Sequence, residues 1–185
     1  MREILLIPYD HRLHLDPLYR MMMTPDEQAL FMSSGRCNSL KEFDGWIQDR
    51  LRHTYQEFFM IGYPEENSVI GFLYASDMRI KDGHCKMGVY IVPSKRDIGV
   101  GAQATIVFLN YLFKFNPLRK VYTEVYDYNT ASIQNHIDAG FQEEGLLKGY
   151  RYFDGKYHDL HIFSIDRQYF ETTLAPLLKE HQRKR

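Results

Sequence analysis

The stretch Arg96-Asp97-Ile98-Gly99-Val100-Gly101-Ala102 joins two apolar runs of different character. Before it, Met87 to Val92 reads as a strand. After it, Ala102 to Phe115 reads as a strongly apolar helix, ended by Asn116-Pro117. Two glycines at a strand-to-helix junction remove side chains where the backbone must approach something closely. The helix start presents unpaired N–H groups and the positive end of its dipole, which suits a phosphate or pyrophosphate. Gly-rich turns before helices are common, so the rest of the chain has to agree before this stretch means more.

Outward toward the C-terminus, Val121 to Tyr126 alternates as a strand and Asn129-Thr130-Ala131-Ser132 opens a short helix that Gly140 stops. Phe141 to Phe153 and Tyr157 to Ile165 read as strands around the hairpin-type turn Asp154-Gly155. A helical tail is expected over Asp166 to Gln182, with Pro176 as its weak point. Toward the N-terminus, Glu57 to Tyr63 and Val69 to Ala75 flank Pro64-Glu65-Glu66-Asn67-Ser68 as a hairpin. His84 to Val92 completes that meander after the turn Lys81-Asp82-Gly83. Ser39 caps a helix carrying Leu40, Phe43, Trp46, Ile47, Leu51 and Tyr55, with Glu42 at the capping-box position. Leu13 to Phe31 has a helical pattern interrupted at Pro17 and Pro25, with Thr24-Pro25-Asp26-Glu27 as a cap. Ile4-Leu5-Leu6-Ile7 reads as a buried first strand closed by Pro8. This order predicts an α/β chain (α+β mixed sheet) with helices on both faces and the glycine loop after the fourth strand.

Composition narrows the function classes. At 185 residues and 44% hydrophobic content, one domain over 1–185 with a real core is expected, without internal repeat or linker. A net charge of −1 supplies no global basic field, so no nucleic-acid partner is expected. The basic end Gln182-Arg183-Lys184-Arg185 reads as a solvated helix terminus. Cys37 and Cys85 lie far apart without metal-ligand spacing, which fits a reducing cytoplasm and no metal site. The run Ile4 to Ile7 is too brief for a signal peptide, and nothing reaches membrane-spanning length, so no membrane partner is expected.

Two motifs at matching separation resemble the GNAT superfamily of N-acetyltransferases. Pro93-Ser94-Lys95-Arg96-Asp97-Ile98-Gly99-Val100-Gly101 is similar to its R/Q-x-x-G-x-G/A acetyl-CoA loop. N-T-A-S-I-Q-N-H-I-D-A-G-F, Asn129 to Phe141, is similar to its Asn-led helix ending in Gly-Phe. Glu144-Gly145 and Tyr152-Phe153-Asp154-Gly155-Lys156-Tyr157-His158-Asp159 resemble the RimJ/RimL and polyamine-acetyltransferase branch. The resemblance covers nearly the whole chain and is strongest from Met87 to Ile165.

The resemblance implies a GNAT-like fold: a mixed, mostly antiparallel six- to seven-stranded sheet with a V-shaped splay between strands 4 and 5. It implies acetyl-CoA as acyl donor and a primary amine of a small molecule or peptide as acceptor. The pantetheine arm would lie between Lys86 to Val92 and Val121 to Tyr126, held by main chain at Val89, Tyr90 and Ile91, which also polarises the thioester carbonyl. The pyrophosphate would take N–H donors from Ile98, Gly99, Val100, Gly101 and Ala102. Arg96 is placed to reach a phosphate or to brace the loop. Asn129, with Ser132 in the same turn, would cap its helix and contact the cofactor. A homodimer is compatible with the resemblance.

Acetyl transfer to an amine needs a proton acceptor for the amine and an acid for the departing thiolate. No covalent nucleophile is required. The family's usual leaving-group tyrosine falls at His136 here, a departure from the pattern; His136 either protonates the thiolate or packs near the cofactor. Tyr126 and Tyr128 are rival acids. Many relatives place a carboxylate on the strand before the loop, but His84 to Val92 holds only His84, Lys86 and Tyr90 as ionisable groups. Glu124, sharing a strand face with Tyr122 and Tyr126, is a candidate base or amine-binding group; Asp77 and a water chain are alternatives. Acceptor recognition is expected from Pro25 to Trp46 and the last hairpin, with Phe31, Tyr150 and Tyr152 on the rim. Met21-Met22-Met23 serves either packing or a pocket. Polyamines, amino acids, nucleotide-sugar amines, antibiotics and protein N-termini all remain open. The rival from another class is a GNAT-fold module that binds CoA without turnover, in a regulatory or interaction role.

Overall fold

Phe58-Phe59-Met60-Ile61 is apolar at consecutive positions because its strand is covered on both faces. Met60 and Phe58 join one core and Ile61 and Phe59 the other. The computed structural model describes residues 3–24, 37–65, 68–96 and 99–178. Its seven strands are β1 (Leu5–Pro8), β2 (Tyr55–Gly62), β3 (Val69–Arg79), β4 (His84–Ile91), β5 (Lys120–Tyr126), β6 (Gln142–Phe153) and β7 (Lys156–Asp166). They form a single sheet in the order β1-β2-β3-β4-β5-β7-β6. Every neighbouring pair is antiparallel except β4 with β5.

One face is covered by α1 (His11–Met21) and α2 (Leu40–His53), whose Leu18, Phe43 and Ile47 pack with Met60, Phe72 and Tyr90. The other is covered by α3 (Val100–Phe115), the crossover that the parallel β4–β5 pair requires. Its Ala104, Phe108, Leu109 and Leu112 pack on Ile61, Leu73, Cys85, Met87 and Val121. Local chemistry sets the helix starts. Asp10 accepts from the Arg12 and Leu13 N–H groups. Ser39 Oγ accepts from Glu42 N–H while Glu42 reaches back to Asn38 N–H at 2.8 Å. Asn129 caps α4 (Thr130–Asp138) through Ser132 N–H.

Four expectations change, the first being that α2 ends at His53 and Tyr55 opens β2 instead of continuing the helix. α1 runs through Pro17 rather than breaking there, because Leu18 and Met22, both fully buried, anchor the helix on the sheet. Burial of two such side chains offsets a missing helical hydrogen bond. β1 is an edge strand, so Ile4 is buried but Leu5 is exposed. The tail starts with Asp166 accepting from Tyr169 N–H, but widens to a π turn over Phe170–Leu174, with Ala175 N–H reaching Phe170 O. That register seats Phe170 and Leu174 in the core. The end of the tail and the cap at Pro25 to Glu27 lie outside the described residues.

Phe108 is fully buried and meets Phe59 edge-on at 6.1 Å. Phe108→Ala should cost about 3–5 kcal/mol of stability in urea unfolding; a loss below about 1 kcal/mol would contradict this core.

Candidate active site

The parallel ladder between β4 and β5 has three pairs, His84–Lys120, Cys85–Val121 and Lys86–Tyr122. Both strands continue, β4 to Ile91 and β5 to Tyr126, each still paired on its outer side. From the fourth position onward the strands therefore diverge and leave a gap. Val92 N–H bonds to Ile70 O at 2.9 Å. Alternation back from that bond sends the main-chain groups of Tyr90 and Gly88 to β3, and those of Met87, Val89 and Ile91 into the gap. On β5, Asp127 N–H bonds to Asp159 O, so the main chain of Glu124 and Tyr126 faces the gap from the other side. The inner edges of two strands thus present hydrogen-bonding groups to the space between them.

At the upper end of β4, Arg96 Nε donates to Ile91 O at 2.9 Å and its guanidinium lies 5.5 Å from the Tyr90 ring. Arg96 braces the loop in this arrangement. Tyr90 itself is buried on the α1 side, where its hydroxyl donates to Met21 O at 2.8 Å. Gly99 caps α3 with φ 77°, a left-handed conformation suited to glycine. Gly101 differs. Among the described residues, a Cβ there would meet Ile91 Cγ1 alone, at 3.8 Å, so no described neighbour needs a glycine. Glycine in a helix costs about 1 kcal/mol against alanine. Its absence of side chain keeps the first turn of α3, Val100-Gly101-Ala102, open beside the gap. Ile98 lies outside the described residues.

On the sheet face away from α3, charged and phenolic groups gather. Lys86 Nζ lies 2.6 Å from Glu124 Oε1, with the two side chains 42% and 39% exposed. Burial disfavours the Lys86 ammonium, but Glu124 outweighs it, with Asp77 and Tyr150 adding, and its pKa lies above the ordinary value. Tyr74 lies flat over Gly88, where any Cβ would overlap its ring and hydroxyl. Its ring meets that of Tyr55 at a tilt, with centroids 4.3 Å apart, and burial, then Tyr55, Glu124 and Tyr126, drive its pKa upward. Tyr126 is also raised by burial, with Arg151 partly opposing. The Arg151 guanidinium sits 4.8 Å from the Tyr126 ring and donates to Tyr128 Oη at 3.1 Å.

A chain of hydrogen bonds fixes the rim. His158 Nδ1 is 2.5 Å from Asp127 Oδ1, Asp127 Oδ2 accepts from Asp159 N–H, and Asp159 Oδ1 accepts from Gly149 N–H at 2.7 Å. The last bond holds the irregular part of β6 that carries Tyr150. Burial works against the Asp127 carboxylate, but Asp159 N–H and His158 hold its pKa below the ordinary value. Tyr152 lies on the opposite sheet face from Arg151 and meets Tyr157 edge-on at 5.2 Å. Phe31 lies outside the described residues.

His136 is held differently. Its Nδ1 donates to Ser132 O at 2.6 Å, with Ser132 Oγ 3.4 Å away, and its ring packs against Phe141 and Phe163. Burial lowers its pKa, with the Ser132 carbonyl partly opposing. Cys85 is fully buried and its thiol is pushed up to about 12 by burial, unlike a nucleophile. Among the described residues, no three His, Cys, Asp or Glu side chains gather as metal ligands. Tyr74, Arg151 and the Asp127–His158 pair were not singled out from sequence as site residues. An isolated glycine inside a strand, Gly88, was the one local sign of Tyr74.

A family model described as "Acetyltransferase (GNAT) domain" matches residues 15–162. The chain belongs to the GNAT acetyltransferase family. It is an acetyltransferase, and its acyl donor is acetyl-CoA. The SPbeta prophage-derived uncharacterized N-acetyltransferase YokL of Bacillus subtilis is 28% identical over 134 residues, 72% of this chain and 73% of that protein. The fold is similar to spermidine N-acetyltransferase from Vibrio cholerae in complex with CoA and spermine, with TM-score 0.81 and 18% identity over 91% of this chain and 98% of that one. A GNAT acetyltransferase from Bacillus anthracis matches with TM-score 0.75 and 15% identity, covering 91% and 98%. An open helix start and an unpaired strand edge suit a pyrophosphate joined to an amide-bearing arm.

Gly101→Glu should leave thermal stability unchanged or slightly raised, since the position is open toward the protein, while abolishing acetyl-CoA binding in calorimetry. Retained affinity would remove the loop from the donor site.

Proposed function

We propose that the chain, acting as one domain over 1–185, transfers an acetyl group from acetyl-CoA to a primary amine of a small molecule or peptide by direct attack. The observation that carries this reading is the gap between β4 and β5, with an open helix start on one side and the Lys86–Glu124–tyrosine cluster on the other. Acetyl-CoA supplies an activated acyl carbon and a thiolate leaving group. The amine forms the new C–N bond and gives up a proton as the C–S bond breaks, and the thiolate takes up a proton.

The chain's own groups divide the work. Main chain of Val89 and Ile91 holds the donor along β4, while the N–H groups at Gly99 to Ala102 and the Asn129 turn hold its ends. Ser132 supports that turn through its bond to Asn129. Glu124 binds the incoming amine and accepts its proton. Tyr150 forms part of the amine rim and Phe31 is proposed as a further acceptor contact, whereas Tyr152, on the opposite sheet face beside Tyr157, is not one. For the acid, Tyr126 is favoured over His136. A phenol whose pKa burial raises stays protonated at neutral pH and can donate to the departing sulfur. Neutral His136 has committed its Nδ1 proton to Ser132 O and leaves Nε2 without one. Its role is to hold α4 against Phe141 and Phe163. A cytoplasmic location is proposed, and no described helix is long and apolar enough to cross a membrane.

Thiol release with an amine panel that includes peptides tests the reading; acetyl-CoA binding with no turnover on any amine would overturn it. Within it, Tyr126→Phe should lower kcat by about tenfold or more with acetyl-CoA affinity kept, while His136→Ala should lower stability more than kcat. The reverse pattern would restore His136 as the acid. Because burial lowers the folded-state pKa of His136, the unfolded chain binds the proton first, and stability falls as pH drops through about 6.5. His136→Gln should therefore show a smaller loss of Tm between about pH 7.5 and about pH 5.5 than the wild type; equal losses would contradict the buried neutral imidazole.

A further inference from the structure

The acceptor side of the gap carries a fixed cation. Lys86 occupies the last paired position of the β4–β5 ladder, opposite Tyr122, and its ammonium spans to Glu124 where the strands begin to part. Among the described residues, two more cations border the same phenolic cluster. Arg151 lies over Tyr126, and Arg50 opposes the burial-driven rise of the Tyr55 and Tyr74 pKa values. Among the described residues, the carboxylates acting on Lys86 are Glu124 and Asp77, and Asp77 Oδ1 already accepts from Arg79 Nε at 2.9 Å. Among the described residues, Glu124 is therefore the carboxylate left to face an incoming amine, and it already has Lys86 as its partner.

We infer that the acceptor is an amine carrying its own carboxylate close by, an amino-acid-type zwitterion whose carboxylate takes Lys86 while its amine takes Glu124. This inference rests on the acetyl-transfer reading and names the substrate class for it. A bare amine would have to draw Glu124 away from Lys86 and leave an ammonium without its counterion beside the reacting centre. A polyamine adds further positive charge next to Lys86 and Arg151, which repels it. A zwitterion instead exchanges one ion pair for two, with no charge left over. The short Lys86–Glu124 separation suits an acceptor whose two charged groups are themselves adjacent. The arrangement also lets the carboxylate orient the amine, since two charged contacts fix a small molecule better than one.

The test measures thiol release by the whole chain with free L-amino acids, their carboxamides, spermidine and a carboxamide-capped peptide lacking acidic side chains. At least one amino acid should exceed its own carboxamide and spermidine by about tenfold or more in kcat/KM. Lys86→Met should collapse that acid-to-amide ratio to within about twofold. Lys86→Glu should shift preference toward spermidine, because two carboxylates then face the amine. Circular dichroism and thermal melting confirm that both variants fold. Spermidine or the capped peptide as best wild-type substrate overturns the inference while sustaining acetyl transfer. So does an acid-to-amide ratio that survives Lys86→Met. Acetyl-CoA binding with no thiol release from any amine overturns the acetyl-transfer reading, and this inference with it.

Discussion

The arrangement depends on a ladder that stops. Two parallel strands, held together by three residue pairs, separate at Lys86 and Tyr122 although each remains paired on its far side. Buried main-chain groups left without partners are costly, so the unpaired edges of a core strand need water or a ligand. α3 cannot close the gap. It packs on the sheet through Ala104, Phe108 and Leu112 and starts at Gly99, beside the upper end of β4. The helix that makes the parallel connection thus also brings its N-terminal turn to the place where the strands part.

On the proposed reading this geometry separates donor and acceptor chemistry by sheet face. Main chain and a helix start would handle the donor, so the side chains of residues 87–91 are free to serve the two cores. Cys85, Met87 and Ile91 pack under α3, while Tyr90 packs under α1 and fastens it through Met21 O. The opposite alternation on β5 puts Tyr122, Glu124 and Tyr126 on the acceptor face, away from the buried Val121 and Val125. Specificity can then vary through a few charged side chains without disturbing what holds the donor.

Much of this was legible in the chain because it is written locally. The glycine stretch at 99–101, the Ser39–Glu42 capping box, the Asn129 cap and the Asp154-Gly155 turn each specify a few adjacent residues, and all appear in the structure where the sequence placed them. The mixed, mostly antiparallel sheet of six to seven strands and its splay followed from the motif pair and its resemblance rather than from periodicity, whereas the order of the strands across the sheet came from the structure. Pro17 was misread because a local helix penalty is visible in sequence and the burial of Leu18 and Met22 on a distant sheet is not. The site's charge pairs were hidden for a similar reason. Lys86 and Glu124 are 38 positions apart and meet only through the register of a parallel ladder, which no local pattern reports.

Tyr74 shows how a small residue betrays a large one. Its ring occupies the space above Gly88, and the directly paired register Tyr74–Gly88 places the phenol beside the widening gap. A side chain at 88 would push that ring away from Tyr55, Glu124 and Tyr126, whose influence on Tyr74 marks them as one cluster. Glycine weakens a strand by itself. Here the loss is local while the benefit is shared, because the same vacancy lets an aromatic floor form across two strands. The position of that floor, between the Lys86–Glu124 pair and the Arg151-covered Tyr126, gives the proposed acceptor face a charged surface. A surface of that kind discriminates by the sign and spacing of charge more than by shape.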